Sequence, residues 1–242
     1  MDEVPQQVTS PIRALRVASE EHRCSYLPQR RARHEYLFAP SVDPDDYHRL
    51  MDMGYRRSGV TIYRPICEGC RQCRALRVPV DAFRPNRSQR RNHRDNSDLE
   101  LRIGRPRLTH DRWSLYRRYQ HQRHREDGDD SPEALEGFLY TSCVNTTEWR
   151  YYLDGRLVMI GIADVCRRSI SAVYCYWDPM LAQRGLGVFN VLAHISMAAG
   201  EGIPHVYLGY MIRDCRKTAY KAGYAPCELL DGRQVWSSPS PA

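Results

Sequence analysis

The feature that most limits the fold is the pair Asp154-Gly155, which separates two runs of strand-like residues. Asp-Gly supplies the positive φ angles of a type I′ turn, so Arg150 to Leu153 and Arg156 to Asp164 read as a β-hairpin. A polar turn at Arg167-Arg168-Ser169 leads to a third strand, Ile170 to Trp177. A helix is then predicted from about Leu186 to Ala199, a strand from His205 to Gly209 and a helix from about Arg213 to Ala222. Three antiparallel strands followed by helix, strand and helix make an α+β domain.

Upstream, Arg33 to Ala39 reads as a strand. Asp43-Pro44 offers an N-cap with proline at the first helical position, opening a short helix that Gly54 ends. Tyr55 to Tyr63 and Ala75 to Val80 read as strands. The stretch from Arg84 through Arg91 has no apolar stripe and is expected to be exposed. Trp113, Tyr116 and Tyr119 recur at helical spacing, and Ser131-Pro132-Glu133 caps another helix. The expected division is an extension over 1–21, a cysteine-containing basic region over 22–107, a main domain over 108–235 and a disordered tail over 236–242. The order of elements in the main domain is similar to that of a GNAT-like acyltransferase core, whose sheet splays at the fourth strand.

Composition narrows the class. Hydrophobic residues are 42% and charged residues 27%, which argues against global disorder. No apolar run approaches the ~18 residues of a membrane helix, and the polar stretch Met1 to Ser10 lacks the apolar core of a signal peptide. A cytoplasmic chain with no membrane partner is expected. The net charge is +7, yet only Lys217 and Lys221 are lysines against 34 arginines. Residues 61–110 hold 12 arginines and 5 acidic residues, so their excess of 7 equals the charge of the whole chain. Codon bias accounts for the arginine-to-lysine ratio but not for this concentration. A local arginine excess suits phosphate, RNA or an acidic peptide, because the guanidinium fork binds carboxylate or phosphate in bidentate fashion.

The nine cysteines are an odd number, which with no export signal argues against a disulfide framework. Cys67, Cys70 and Cys73 form a C-x2-C-x2-C run whose spacing lets thiolates converge on one metal, and Cys24 is the natural fourth ligand. Two readings stand, a zinc or Fe–S site and a group of reduced, partly buried thiols. The other cysteines are scattered, as small core residues are.

Three places can carry chemistry. Gln183-Arg184-Gly185-Leu186-Gly187 precedes a helix and suits a phosphate, although its glycines sit one position off the acetyl-CoA pattern; a plain tight turn is the competing reading. Gly209, between large residues in His205-Val-Tyr-Leu-Gly-Tyr210, implies a bulge whose backbone N–H groups could face an acyl oxyanion. Lys217 and Lys221 lie four apart with Tyr220 between them, and lysine offers a compact charge that arginine does not.

Several motifs together resemble aminoacyl-tRNA–protein transferases. Arg64-Pro-x-Cys67-x-x-Cys70-x-x-Cys73-x-x-x-Arg77-Val78 and Ser88-Gln-Arg-Arg91 resemble their N-terminal region. Leu115-Tyr-x-x-Tyr119, Arg123-His124, Ser171-Ala-Val-Tyr174, Asp178-Pro179, Tyr207-Leu-Gly-Tyr210, Tyr220-Lys221 and Pro226-x-Glu228 resemble their C-terminal region, in order. The similarity covers roughly 22–233. The chain's short length and three-cysteine run look like the bacterial branch, the aspartate/glutamate leucyltransferases of the N-end rule pathway.

The resemblance implies two GNAT-like lobes and the transfer of leucine from leucyl-tRNA to proteins with N-terminal Asp or Glu, with no cofactor required for the chemistry. It implies catalytic roles for Gly209, Tyr210 and Lys221, with the oxyanion held by backbone near Gly209. Arg87, Arg90 and Arg91, with Lys221, would meet the acceptor carboxylate, and Arg184 with the basic segment would meet the tRNA end. Tyr174, Trp177 or Tyr207 would line a leucine pocket or simply pack in the core. Tyr220 joins the substrate-binding set, and Asp178 would steer the incoming ammonium or serve as a turn aspartate.

Two departures stand out. The family's Arg-Ser-Leu-Gly turn appears as Arg184-Gly-Leu-Gly187, and a Cys-x-x-Cys of eukaryotic relatives appears as Cys24-x-x-Leu27. Arginyl transfer, a metal-containing RNA-binding module without catalysis and an acetyl-CoA-dependent acetyltransferase are the alternatives.

Overall fold

The computed structural model describes residues 14–123 and 129–239. The first half runs β1 (Leu15–Ala18), β2 (His22–Arg23), β3 (Arg31–Ala32), β4 (His34–Phe38), α1 (Pro44–Asp52), β5 (Arg56–Ser58), β6 (Thr61–Pro65), β7 (Arg74–Pro79) and α2 (Arg87–Asp95). The second runs β8 (Glu100–Gly104), α3 (His110–Arg123), α4 (Pro132–Leu135), a π-helical turn (Glu136–Tyr140), β9 (Thr146–Leu153), β10 (Arg156–Cys166) and β11 (Ser169–Trp177). A 3-10 turn (Pro179–Arg184), α5 (Leu186–Gly200), β12 (His205–Met211), α6 (Arg216–Ala219), a second 3-10 turn (Tyr220–Gly223), β13 (Glu228–Leu230) and β14 (Trp236–Ser237) complete it.

The hairpin forms where Asp154-Gly155 demands it, with φ values of 49° and 77° at the two turn residues. Strands β9, β10 and β11 are successive antiparallel neighbours, and α5 crosses back so that β12 runs parallel to β11. Trp149 and Tyr151, two apart on β9, pack with Phe189, Leu192 and Ile195 of α5. Ile160, Ile162 and Tyr176 pack with Leu115, Tyr116 and Tyr119 of α3. The central sheet is therefore buried on both faces, as the expected α+β plan requires.

The first half does not stand apart. Its β7 lies between β12 and β13, in an eight-stranded sheet ordered β14-β13-β7-β12-β11-β10-β9-β8. Four of the remaining strands build a small antiparallel sheet, β1-β4-β6-β5, over which α1 packs Tyr47, Leu50 and Met51, while β2 and β3 pair only with each other. Asp43 caps α1 by accepting from the Asp45 N–H, with Pro44 following as expected. Arg57 of β5 reaches Asp164 of β10 at 2.8 Å, and both side chains are fully buried. Tyr47 and Thr146 donate their hydroxyls to the same carboxylate at 3.0 and 2.6 Å.

Several sequence expectations are corrected here. Tyr55 to Tyr63 is not one strand but the hairpin β5–β6, folded at Gly59-Val60. The helix expected over 213–222 starts three residues later, as α6 followed by a 3-10 turn, and the Thr218 hydroxyl ties its first turn to the preceding loop, accepting from the Ile212 N–H at 3.1 Å. The tail expected from 236 loses Trp236 and Ser237 to β14, paired with Leu230 and Leu229. Leu15–Ala18, within the expected extension, pair with β4. Residues 1–13, 124–128 (with His124 of the quoted motif) and 240–242 lie outside the described residues. Among those described, no helix is long and apolar enough to cross a membrane.

Candidate acyl-transfer site

The site begins where two strands part. β12 pairs with β11 through only three residues, ending at Ser171 opposite Tyr207. Beyond that pair the strands diverge, and the β11-facing backbone of β12 has no partner on β11. The β12–β7 register also shifts between Tyr207 and Gly209, and Gly209 sits at φ +83°, a left-handed conformation that side-chain-bearing residues seldom adopt. The bulge inferred from Gly209 is therefore present.

Lys221, on the 3-10 turn after α6, enters this wedge and donates from Nζ to the Tyr210 carbonyl at 2.9 Å. A Cβ placed on Gly209 would lie 3.3 Å from the same Nζ. Burial, reinforced by the cation of Arg56, pushes the Lys221 ammonium down to about 8. Facing it from β11, burial pushes the Cys175 thiol up to about 12, so Cys175 is a neutral thiol. The structure thus brings Gly209, the Tyr210 backbone and Lys221 together.

Arg56 is the functional candidate that sequence reasoning missed. It is only 5% exposed and donates from Nη2 to the Gly209 carbonyl at 3.2 Å and the Leu76 carbonyl at 3.5 Å, filling the gap left by the bulge. Its guanidinium lies 5.3 Å from the Tyr207 ring centre and 5.9 Å from that of Tyr210, while Nε and Nη1 find no hydrogen-bond partner. The signal was the Arg56-Arg57 pair in a strand segment. Adjacent strand residues face opposite sides, so at least one arginine of a covered strand must be buried.

Other expected residues take different positions. The Tyr210 hydroxyl donates to the Gly54 carbonyl at 2.8 Å, so only the backbone of Tyr210 faces the wedge chemistry. Tyr207 is fully buried, with its hydroxyl donating to Asp52, and packs against Trp236 rather than lining an open pocket. Tyr220 is 55% exposed at the rim. Asp178 is buried; it accepts from the Met180 N–H at 3.0 Å and from Arg156 at 2.6 Å, the work of a turn aspartate rather than of a steering group. Arg184 forms a bidentate pair with Asp98, at 2.9 and 2.7 Å, so its charge is already matched where a phosphate was expected. Arg87, Arg90 and Arg91 are exposed on α2, outside the wedge.

Cys24, Cys67, Cys70 and Cys73 do assemble, together with Cys215, Tyr26 and Ile212. The Cys24 thiol accepts from the Leu27 N–H and the Cys67 thiol from the Arg33 N–H, both at 3.4 Å. Burial and the neighbouring cysteines push the Cys73 thiol up to about 12. Among the described residues, no three His, Cys, Asp or Glu side chains converge as a metal-ligand group. As placed, the set does not fit the zinc or Fe–S site, one of its two readings, and no chemical step is routed through a metal. Cys67, Cys70 and Cys73 border a cavity of about 590 Å³ that also includes Arg64, Arg74 and Asp231.

Two family descriptions match most of the chain. Residues 22–91 match the profile described as arginine-tRNA-protein transferase, N terminus, and residues 111–231 match the corresponding C terminus. The chain is 40% identical over 225 residues to the aspartate/glutamate leucyltransferase of Chromobacterium violaceum, covering 92% of this chain and 93% of that protein. It is 42% identical to that of Stenotrophomonas maltophilia, covering 88% and 89%. Among solved structures, FemX aligns with a TM-score of 0.49 at 8% identity, over 89% of this chain and 85% of that one. The C-terminal domain of a putative lysylphosphatidylglycerol synthetase from Agrobacterium fabrum aligns at 0.46 and 12% identity, over 76% and 56%.

Proposed function

The chain belongs to the arginine-tRNA-protein transferase family, and we propose that it moves leucine from leucyl-tRNA to the α-amino group of proteins with N-terminal Asp or Glu. In that role it marks acceptors for the N-end rule pathway. The observation that carries the mechanism is Lys221 Nζ, held at 2.9 Å from the Tyr210 carbonyl beside the Gly209 bulge.

The reaction is aminolysis of an ester. The acceptor nitrogen gives up a proton and forms a bond to the leucyl carbonyl carbon; the carbon–oxygen bond to the terminal ribose then breaks, and that oxygen gains a proton. An α-amine of pKa ~7.7–8.0 is already partly neutral near pH 7, so the protein needs to position two substrates and stabilise an oxyanion. Beyond Tyr207 the edge of β12 has no β11 partner, and its backbone N–H groups are the donors for the oxyanion in this reading. Lys221, at about 8, supplies positive charge beside them and can pass a proton to the leaving ribose oxygen, then recover one from the acceptor nitrogen. Arg56 keeps the Gly209 carbonyl turned away from this edge and keeps Lys221 easy to deprotonate.

Arginine is the competing donor, since it is the amino acid in the family's description. Incubating the protein and an Asp-initiated peptide with leucyl-tRNA or arginyl-tRNA, each carrying labelled amino acid, separates the two. Label from leucyl-tRNA alone is expected. Label from arginyl-tRNA alone reverses the donor, and no label from either rejects the transferase reading.

A further inference from the structure

Helix α2 carries Arg87, Arg90, Arg91 and Arg94 at positions i, i+3, i+4 and i+7, a spacing that sets all four on one face. All four are exposed. Arg90 donates to the Pro85 carbonyl, and Arg94 lies 3.8 Å from Asp95. The stripe is locally unfavourable in two ways. Like charges three and four apart repel one another. The first turn of the helix contains Arg87 and no acidic residue, the wrong sign for its dipole.

The opposite side of the helix is built to hold it in place. Gln89 is buried and donates to the Gly223 carbonyl at 3.1 Å, two residues beyond Lys221. Asn92 and Asn96 donate to the Arg184 carbonyl at 2.8 and 2.9 Å. The Asn86–Gln89 capping box fixes the N-terminus. Neutral amides thus dock α2 between the turn that bears Lys221 and the turn at the start of α5, with the arginines facing outward.

We infer that this stripe is the seat of the tRNA, binding phosphates of the strand whose 3′ end delivers leucine to the wedge. The inference rests on the transferase reading above and assigns Arg87, Arg90 and Arg91 to RNA instead of to the acceptor carboxylate. An isolated carboxylate would engage one guanidinium fork on an open surface, where a single ion pair contributes little. A strand of phosphates meets four cations along ~10 Å of helix and gains from counterion release at each one. Arg184 is already paired with Asp98, whereas the four arginines of the α2 stripe face outward and are exposed.

The test compares the wild type with two quadruple variants, R87Q/R90Q/R91Q/R94Q and R87K/R90K/R91K/R94K. Deacylated leucine tRNA is titrated at several salt concentrations, and KM is measured for leucyl-tRNA and for an Asp-initiated peptide. Glutamine at all four positions is expected to flatten the salt dependence by about one slope unit for each phosphate no longer bound, and to raise KM for leucyl-tRNA with little effect on KM for the peptide. Lysine is expected to restore most of the slope, which a purely structural role would not require. Unchanged tRNA binding in the glutamine variant overturns the inference, and a KM rise confined to the peptide returns the stripe to the acceptor. A wild type that binds tRNA with arginine-dependent salt sensitivity yet transfers neither amino acid rejects the transferase reading while leaving the stripe intact.

Discussion

Replacing Gly209 by alanine adds one methyl group at a point where backbone strain and proximity to Lys221 coincide. The strain follows from φ +83°: an L side chain in a left-handed conformation costs roughly 1–2 kcal/mol. For a chain of this size that corresponds to a fall in Tm of roughly 2–8 °C. The crowding of Lys221 is a separate effect. The new Cβ would lie 3.3 Å from Lys221 Nζ, so a flexible side chain must give by a few tenths of an ångström. That displacement costs little stability but moves the ammonium that the Tyr210 carbonyl holds at 2.9 Å. Since a misplacement of 1 Å can cost ~100-fold in rate, a shift of this size should lower transfer by roughly tenfold at a temperature where the variant is fully folded. Gly155→Ala is the control, because φ there is +77° and nothing lies within 4 Å of the added Cβ. It should lose comparable stability and keep its activity. Thermal melts and single-turnover leucyl transfer to an Asp-initiated peptide give the two readouts. If both variants melt lower but transfer equally well, the chemistry does not depend on the close approach of Gly209 and Lys221.

The remaining expectations concern charge. Lys221 is an ammonium below about 8 and an amine above it, so its positive charge is lost as pH rises through that value; a falling alkaline limb is expected in kcat for the wild type and not for Lys221→Met. Arg56→Met removes a cation that helps hold Lys221 down, and the limb should move to higher pH; an unmoved limb would show that a different group titrates. Asp164→Ala strands the fully buried Arg57 and should cost ~3–5 kcal/mol by denaturant unfolding. Pairing it with Arg57→Met should recover much of that loss, and a double variant no more stable than the single would contradict the pairing.

What could be read in advance depended on how local the cause was. The Asp154-Gly155 hairpin follows from two residues, and α1 from Asp43-Pro44, so both are found where the sequence puts them. Helix α2 was legible only as exposed basic sequence, since amides rather than an apolar stripe dock it, and their partners at 184 and 223 are remote in the chain. Gly209 and Lys221 stood out through residue type, a lone glycine among large neighbours and a lysine among arginines. Arg56 did not, because its role comes from a bulge formed by β7 and β12, 130 residues apart in register terms at Arg77 and Tyr207. Arg184 and Asp178 matched a phosphate or ammonium partner by type, and only the fold supplied the nearer partners, Asp98 and Arg156.

The position of β7 bears on how the chain reaches its native state. Residues 74–79 are synthesised well before β12 and β13, yet they hydrogen-bond to both. During synthesis this strand must wait with an open edge until more than 120 later residues have emerged, and such edges recruit other chains. Pairings this distant in sequence also slow folding, since loop closure must precede the interactions that reward it. Cutting the chain near residue 107 would leave each part with half of a ladder, so the two regions should be recovered by coexpression rather than refolded separately.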